Sequence, residues 1–407
     1  MADRYWVGGS ASWNGTALLK WSTTSGGIGG ASVPTSADDV FFDNLSTGTC
    51  TIAAGNTGAK SINCTGFTGT ITGTNGITVA GSVTLVAGMT YSHVATVAFT
   101  GTGTLTTAGK SFSAVNVNGA GITLTLGDAL NTGGRNFSVT QGTFDAAGYN
   151  VTIGGAFISS NSNVRTITMG SGLWTLGGTG TIWNTGTTTN LTFNKNTANI
   201  LLSNTTTTAR TFSGGGLSFN KLTIGGATGT STLTINGPNT FSELASTKTV
   251  AHTITFALNA NGTTIDVWSV TGTVGNVVTV DSNTVGTQRN FNLTNVTSGI
   301  DYLSVTDIAV NQANRFYVGV NSTNGGNNLN VIFTAPPNSF TITAVNGTYL
   351  VSGQNATLSF GRLLSAQNGV YSVAGQAVDI SVGAPPAPTL GIELFVEIRS
   401  FTERRRF

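Results

Sequence analysis

The sequence predicts an all-β protein whose main part is an elongated β-solenoid, that is, a parallel β-helix. Short runs alternate apolar residues with Thr, Ser or Asn, and each run stops at Gly, Asn or Asp. Alternation with a period of two places the apolar side chains on one face of a strand and the hydroxyls on the other. No region shows a sustained period of 3.6 residues, so we expect helices to be scarce.

The composition supports many short strands joined by tight corners. Charged residues make up 8% of the chain, against about 25% in a typical globular protein, and there are 56 glycines but 7 prolines. Disordered chains combine high net charge with low hydrophobicity, whereas here the net charge is +2 and 39% of residues are hydrophobic. Thr suits strands, and Asn, Ser and Gly suit turns.

Residues 1–45 form a distinct head segment. This segment holds three of the six tryptophans (Trp6, Trp13 and Trp21), a Gly-rich stretch at 25–30 and the acidic pair Asp38-Asp39. A solenoid needs a cap, because an unpaired terminal turn would expose both apolar core and backbone edge. We therefore predict an aromatic cap or docking segment, with the three tryptophans as assembly contacts.

Residues 46–335 are predicted to form the solenoid stem. Representative strand-like runs are found at 122–128, 150–155 and 231–237. Strands spaced by about 8–12 residues fit either a sandwich or a solenoid. The solenoid is favoured because the series is too long for one sandwich and has no linker. Asn-Gly and Asp-Gly hairpin turns are also fewer than a sandwich of this length would need.

Pro336-Pro337 marks the clearest boundary, and a short repeat follows it. The segment 346–354 matches 368–376 at an offset of 22 residues, with Asn, Gly, Tyr, Gly and Gln in common. Residues 338–383 are therefore predicted to form a small antiparallel β module.

Residues 384–407 are predicted to be a Pro-rich spacer followed by a basic tail. The tail alternates apolar and polar residues, and its arginines are predicted assembly contacts: Arg399, Arg404, Arg405 and Arg406. A tail that adds a strand to a partner sheet and a frayed terminus are both compatible with this pattern. Neighbouring glutamates offset the arginines, so no nucleic-acid binding is expected.

The residues that would carry catalysis or bind a metal are few. His93 and His252 each lack a nearby Cys or second His, whereas a zinc site needs three or four ligands. We predict no metal, no cofactor and no catalytic residue, and hence no enzyme. The enzymatic alternative is a glycan hydrolase or lyase that uses the pair Asp266/Asp281 or Asp281/Asp301, because such enzymes pair carboxylates about 5–9.5 Å apart.

Other residue types suggest structural roles. Trp174, Trp183 and Trp268 are expected to pack in the core rather than stack on sugars. Cys50 and Cys64 are expected to be free thiols, with a disulfide as the alternative. The first residues, Met1 to Trp6, lack the apolar region of a secretion signal. No apolar run approaches about 18 residues, so membrane insertion is not expected.

Several of these segments resemble β-solenoid virion structural proteins of tailed bacteriophages. The resemblance lies in Arg4–Ser10, in Ser25–Asp43 and in Phe316–Asn328, and it extends to the repeat and the arginine-rich tail. It implies a tail fibre, a tailspike or a capsid appendage located on the virion, commonly a homotrimer. Its partners would be itself, other virion proteins and a host-surface glycan.

The alternatives come from different classes of protein. One is a tailspike glycan depolymerase with paired carboxylates, and another is a capsid-bound head fibre or decoration protein. A cellular adhesin is the third, and the missing secretion signal disfavours it.

Overall fold

The computed structural model describes residues 2–14, 19–53, 57–226, 228–310 and 315–336, together with the backbone of four short strands beyond them. The described residues contain strands, turns and one short 3-10 helix at Leu258–Ala260. The chain divides into two compact units, Met1–Ala335 and Pro336–Phe407. The predicted all-β solenoid is confirmed for the first unit.

The solenoid is built from three faces, each a ladder of parallel strands. Face 1 contains β4 (Asp39–Phe41), β7 (Ser61–Asn63), β10 (Val83–Thr84), β13 (Gly103–Thr106), the second halves of β14 (Ala114–Leu126) and β16 (Phe137–Asp145), β19 (Arg165–Thr168) and β22 (Leu191–Asn194).

Face 2 runs the length of the stack. Its strands are β6 (Gly58–Ala59), β9 (Ile77–Val79), β12 (Thr96–Phe99), the first halves of β14 and β16, β18 (Phe157–Ile158), β21 (Gly180–Asn184), β24 (Arg210–Ser213), β26 (Thr232–Asn236), β28 (His252–Phe256), β30 (Val278–Ser282), β32 (Leu303–Thr306) and β35 (Thr323–Gly326).

Face 3 consists of a four-stranded and a nine-stranded ladder. The first holds β2 (Ala11–Ser12), β5 (Thr49–Ile52), β8 (Thr70–Gly73) and β11 (Thr90–His93). The second holds β15 (Leu130–Asn131), β17 (Val151–Ile153), β20 (Leu173–Leu176), β23 (Asn199–Leu202), β25 (Ser218–Ile224), β27 (Thr240–Ser246), β29 (Thr263–Ser269), β31 (Arg289–Leu293) and β33 (Ile308–Val310). A separate pair is formed by β34 (Phe316–Tyr317) and β36 (Val331–Ile332).

The sequence alternation explains why these strands form. In β17, Val151 and Ile153 are buried and Thr152 between them is partly exposed, and the same inside–outside alternation recurs along the stack. Thr152 lies beside Thr175 of the next strand on face 3. Apolar residues therefore fill the interior, while hydroxyl-bearing residues line the outer surface in rows along the solenoid axis.

The cross-section changes after residue 202. Face 1 ends with β22, and from β24 to β33 strands of face 2 and face 3 alternate along the chain. A tight turn joins β24 to β25, in which Gly215 and Gly216 have positive φ values of 69° and 82°. Glycine takes this conformation readily because it has no Cβ. The strands of face 3 lengthen to seven residues in β25, β27 and β29, which compensates for the lost third side.

The interior is held together by stacked aromatic rings. Phe137 stands 5.5 Å from Phe157, and Trp183 stands 4.5 Å from Phe157 and 5.6 Å from Phe212. Contacts of 5.0 Å and 5.6 Å then lead through Phe219 to Phe241. The column crosses the change in cross-section without a break, so both halves of the solenoid share one apolar core.

The head is continuous with the stem and covers its first turns. Strand β1 (Asp3–Trp6) lies parallel on β4, and β3 (Trp21–Ser22) pairs with it in the antiparallel sense. Strand β2 joins face 3 through β5. Residues 1–45, which we call the cap, belong to the same compact unit as the stem.

The second unit corrects one prediction. Strand β37 (Tyr349–Ser352) pairs with β39 (Tyr371–Ala374), and β38 (Leu358–Ser359) pairs with β40 (Ile380–Ser381), both in parallel. The antiparallel module predicted for 338–383 was therefore wrong in strand direction. Tyr349 lies opposite Tyr371, which is the 22-residue offset of the repeat, so the two copies lie on each other in register. Arg399, Arg404, Arg405 and Arg406 lie outside the described residues.

Candidate functional site

The three tryptophans of the head form one aromatic cluster inside the cap. Trp21 lies 5.1 Å from Trp6 and 4.9 Å from Trp13, in edge-to-face arrangements, and Phe42 lies 5.9 Å from Trp21. Phe42 continues to Phe67 at 5.1 Å, which joins the cluster to the stem core. Such aromatic pairs add stability beyond the area that they bury.

Hydrogen bonds hold two of these indoles. Trp6 Nε1 donates to the carbonyl oxygens of Gly9 and Thr47 at 3.1 Å and 3.2 Å, and Trp21 Nε1 donates to the Trp13 carbonyl at 3.1 Å. All three tryptophans are fully buried. Direct assembly contacts through Trp6, Trp13 and Trp21 do not agree with this burial, because the rings present no surface to a partner.

The outer surface of the cap carries a different apolar feature, which we call the cap patch. It consists of Leu19, Ile28 and Leu45, which are 70%, 96% and 56% exposed. The loop at 25–30 contains Ile28 and lies beside both Leu45 and Leu19. A Cβ on Gly26 would lie 2.7 Å from Leu45 Cδ1, and one on Gly29 would lie 2.6 Å from the Leu19 backbone. Exposed aliphatic side chains around one loop are a candidate interaction surface.

The sequence analysis missed the cap patch. Ile28 lies in a Gly-rich loop with no strand pattern, and Leu19 and Leu45 are separated from it in the sequence. The only signal in the sequence is a large aliphatic residue between glycine pairs, where neither a strand nor a core position is expected.

The predicted carboxylate pairs are not brought together. Asp266 lies in β29 on face 3 and Asp281 in β30 on face 2, so the two belong to different sides of the solenoid. Asp301 precedes the first residue of β32, whereas Asp281 follows the residues of β30 that pair with β32. Asp281 and Asp301 therefore lie toward opposite ends of these strands.

Asp281 has an acidic neighbour that the sequence analysis did not pair with it. Burial raises the pKa of Asp281, and the nearby Asp307 raises it further, against the opposing hydrogen bond from Thr255 Oγ1 at 2.6 Å. Asp307 is itself occupied, since it accepts hydrogen bonds from Gly286 N at 2.8 Å and from Asn327 Nδ2 at 2.6 Å. Its carboxylate thus holds the corner of the solenoid together.

Other acids also bind the backbone at corners, as the turn pattern predicts. Asp128 accepts from the N–H groups of Thr107 and Ala108 at 2.7 Å and 2.6 Å, and Asp145 accepts from Ala147 N at 2.9 Å. Asp301 accepts from Asn321, and although burial acts to raise its pKa, the hydrogen bonds of Asn321 and Tyr302 lower it overall. These acids have structural partners within the chain.

Both histidines are buried and bonded within the chain. His93 Nδ1 lies 2.7 Å from Ser113 Oγ, and its Nε2 lies 2.7 Å from the carbonyl oxygen of Asn75. His252 lies 2.9 Å from Ser246 Oγ and 2.9 Å from the Val250 carbonyl oxygen. Burial lowers the pKa of each histidine. Within the described ranges no three His, Cys, Asp or Glu side chains are grouped as metal ligands would be.

Ser113 Oγ lies 2.7 Å from His93 Nδ1, a distance typical of a catalytic serine and its base, but the other features of such a pair are missing. Ser113 is fully buried, donates to the His93 carbonyl oxygen at 2.9 Å and also lies 2.8 Å from Tyr91 Oη. A nucleophile needs access to a substrate carbonyl or phosphorus. The arrangement therefore stabilises a corner between faces.

The tryptophans of the stem lie in the core, as predicted. Trp174 and Trp183 are fully buried, and Trp268 is 4% exposed. Trp268 Nε1 donates to the Val270 carbonyl at 2.8 Å and its ring lies 4.8 Å from Phe316. None of these three rings is available to stack on a sugar.

A shallow polar groove of about 350 Å³ crosses face 2 of the stem. Thr96, Asn116, Arg135, Asn136 and Ser138 supply its polar groups. Hydroxyl, amide and guanidinium groups can hydrogen-bond a sugar or a partner chain. No carboxylate lines this groove, so it lacks the acid pair of a glycosidase.

Both cysteines are free and buried, as expected, and burial raises the pKa of each thiol. In the part of the chain that the structure describes, no helix has the length and apolar character needed to span a membrane. Comparison with family models, with curated proteins and with solved structures finds no match to this chain.

Proposed function

We propose that this chain is a structural subunit of a bacteriophage virion and forms the stem of a fibre-like or spike-like appendage. The observation that carries the proposal is the unbroken ladder of face 2, whose thirteen strands join in one series. At a strand spacing of about 4.8 Å this series is about 60 Å long. A hydrogen-bonded stack of this kind is a stiff spacer.

Two further features support the proposal. The outward rows of Thr, Ser and Asn keep the surface polar with little charge, as in the row Thr232, Thr253 and Thr279 along face 2. The resemblance of the head and of Phe316–Asn328 to phage β-solenoid virion proteins points to the same class. In this proposal the subunit assembles as a homotrimer, and native mass spectrometry of the purified chain tests that stoichiometry.

The location is tested by electron microscopy of intact particles from the source lysate, labelled with an antibody against this chain. We expect label on a projection of the tail or of the capsid, and the position of the label distinguishes a tail fibre from a head fibre. Label on cell surfaces with unlabelled particles would overturn the proposal in favour of the adhesin.

The cap is the proposed docking end, and the cap patch is its contact surface. Ile28→Asp places a charge in the patch, where burial against another virion protein would be unfavourable. Val285→Asp is the matched control, because Val285 is equally exposed at 96% but lies in a loop of the stem. In phage carrying each variant gene, we expect Ile28→Asp to reduce the amount of the chain per particle at least tenfold. Equal incorporation of both variants would contradict docking through the cap patch.

The second candidate is a glycan depolymerase, for which the raised pKa of Asp281 beside Asp307 is the one specific observation. The test is to incubate the purified chain with host polysaccharide and to measure the release of reducing ends. We expect no turnover. Turnover that is lost in Asp281→Asn and kept in Asp266→Asn would establish the depolymerase instead.

A further inference from the structure

Three arginines are buried in the stem, and two of them have all their nitrogens bonded. Arg165 donates to Ser159 Oγ and to the carbonyl oxygens of Ser159, Asn163, Thr187 and Thr189, which accounts for all five of its N–H groups. Arg289 likewise bonds Asn283, Thr284 and Gln288 through its three nitrogens. A buried guanidinium that is fully bonded within the chain needs no further ligand.

Arg210 differs from both. Its side chain is 1% exposed, and only Nη2 has a partner, Ser231 Oγ at 2.7 Å. The Nε and Nη1 atoms are buried without a hydrogen-bond partner among the described residues. Leaving a buried charged donor unpaired is costly, so Arg210 has donors that a further partner would stabilise.

The neighbours of Arg210 increase the positive charge. Lys248 is 9% exposed, and its Nζ donates to the carbonyl oxygens of Gly226 and Gly229 at 2.9 Å and 2.8 Å. An ammonium has three N–H donors, so one remains. His252 begins β28, two strands along face 2 from Arg210, and besides burial both Lys248 and Arg210 act to lower its pKa.

Among the residues that the structure describes, no carboxylate forms an ion pair with this cluster. The ion pairs among the described residues join Arg4 to Asp38, Lys60 to Asp39 and Lys221 to Glu243, and none of them involves Arg210 or Lys248. After burial, the proximity of Arg210 lowers the pKa of Lys248, which means that the two cations repel each other. Burying two cations beside each other is unfavourable, and a counter-charge reduces that cost.

We propose that Arg210, Ser231 and Lys248 hold a small inorganic oxyanion, of the phosphate or sulfate class, inside the stem. A charged guanidinium N–H forms a strong hydrogen bond to an oxyanion oxygen, and an ammonium adds a point charge. The site lies at the first strand after the change in cross-section, where face 1 has just ended. In this proposal the anion bonds one of the two Arg210 nitrogens that lack a partner among the described residues.

The test is isothermal titration of the full chain with inorganic phosphate at constant ionic strength. We expect one saturable site per chain, and at least a tenfold loss of affinity in Arg210→Gln. Arg289→Gln is the matched control, a buried arginine whose nitrogens are all bonded, and it should bind phosphate as the wild type does. Lys221→Gln serves as an exposed control.

A second measurement uses only the wild-type chain, so it applies even if Arg210→Gln fails to fold. The thermal midpoint of the wild-type chain is compared in phosphate and in chloride at equal ionic strength. A ligand at 100 times its Kd raises the folding equilibrium constant about 100-fold, so the midpoint should rise by about 2–5 °C in phosphate. No saturable binding and equal midpoints in the two salts would overturn the proposal, as would unchanged binding by a folded Arg210→Gln.

Discussion

The two halves of the solenoid solve the same packing problem with different numbers of strands. Between residues 39 and 202, the turns use strands on three faces, with face 3 interrupted between β11 and β15. From β24 to β33, strands of face 2 and face 3 alternate along the chain, and those of face 3 reach seven residues. Face 2 and the aromatic column continue through both halves. Continuity of one ladder and one core therefore suffices to keep the stack in register, and the third side can be replaced by a turn.

The largest expected effect comes from the aromatic column at the change in cross-section. Trp183 contacts Phe157, Phe193, Phe212 and Phe219 as well as Trp174, with centroid distances of 4.5–6.3 Å. Trp183→Ala should cost about 3–5 kcal/mol, because the cavity lies where the halves join. Amide hydrogen exchange should show weakened protection in β21 and β24 on both sides. Protection lost on one side only would mean that the halves do not share a core.

Corner glycines should matter next most, and here the three-strand half offers a matched pair. A Cβ on Gly154 would lie 1.5 Å from the Gly133 carbonyl oxygen, while Gly134 has open space around it. Gly154→Ala should cost about 1–3 kcal/mol through overpacking, and Gly134→Ala about 0.5 kcal/mol or less. Thermal midpoints measure both. Equal effects would show that the turns are looser than the strand spacing implies.

The two buried histidines should make the stability of the solenoid depend on pH. His93 lies in the first half and His252 in the second. Burial lowers both pKa values in the folded chain, so the unfolded chain binds more protons as the pH falls through about 6.5. Their contribution to stability is complete above that pH and is lost below it. The thermal midpoint should therefore drop between pH 7.5 and 5.5.

The matching variants are His93→Gln and His252→Gln. Glutamine keeps hydrogen-bonding groups but does not titrate between pH 7.5 and 5.5. Each should reduce the drop in midpoint, and the double variant should reduce it most. A drop that stays unchanged in the double variant would assign the acid sensitivity to other groups.

The smallest effects are expected from ion pairs between neighbouring turns, one in each half. Lys60 lies 2.8 Å from Asp39, and Lys221 lies 2.9 Å from Glu243. Both lysine side chains are 38% exposed, and exposed pairs contribute about 0–1 kcal/mol. Double-mutant cycles with alanine should give coupling energies in that range at low salt. A coupling above about 2 kcal/mol in either half would contradict the view that burial and backbone pairing dominate.

The class of fold could be predicted from the sequence, whereas its cross-section could not. Alternation in runs such as 150–155 defines which side chains point inward, and this holds for three strands per turn as for two. The number of strands depends on local turns such as Gly214–Leu217, whose glycine-rich pattern is not distinguishable from other corners in this chain.

The strand direction predicted for the repeat at 346–376 was wrong for a related reason. A strand–turn–strand unit predicts an antiparallel hairpin locally, but the 22-residue offset equals the length of a solenoid turn. Stacking identical residues in parallel register satisfies both the repeat and the ladder.

The candidate site was predicted less well than the fold. Aromatic density in the head predicts a cap, but tryptophan alone does not reveal whether a ring faces the core or a partner. Sequence separation also did not identify the acid pairs, because turn lengths vary and the faces of Asp266 and Asp281 differ. The unpaired nitrogens of Arg210 depend on packing in three dimensions, and no sequence pattern marks them.

The central claim is that this chain is the stem of a virion appendage attached through its cap. The most direct measurement is a cryo-electron microscopy reconstruction of the appendage on intact particles. We expect a β-solenoid density about 60 Å long that narrows from three faces to two away from the particle, with the cap patch against a virion protein. Density with the cap pointing away from the particle, or particles that lack the solenoid, would contradict the claim.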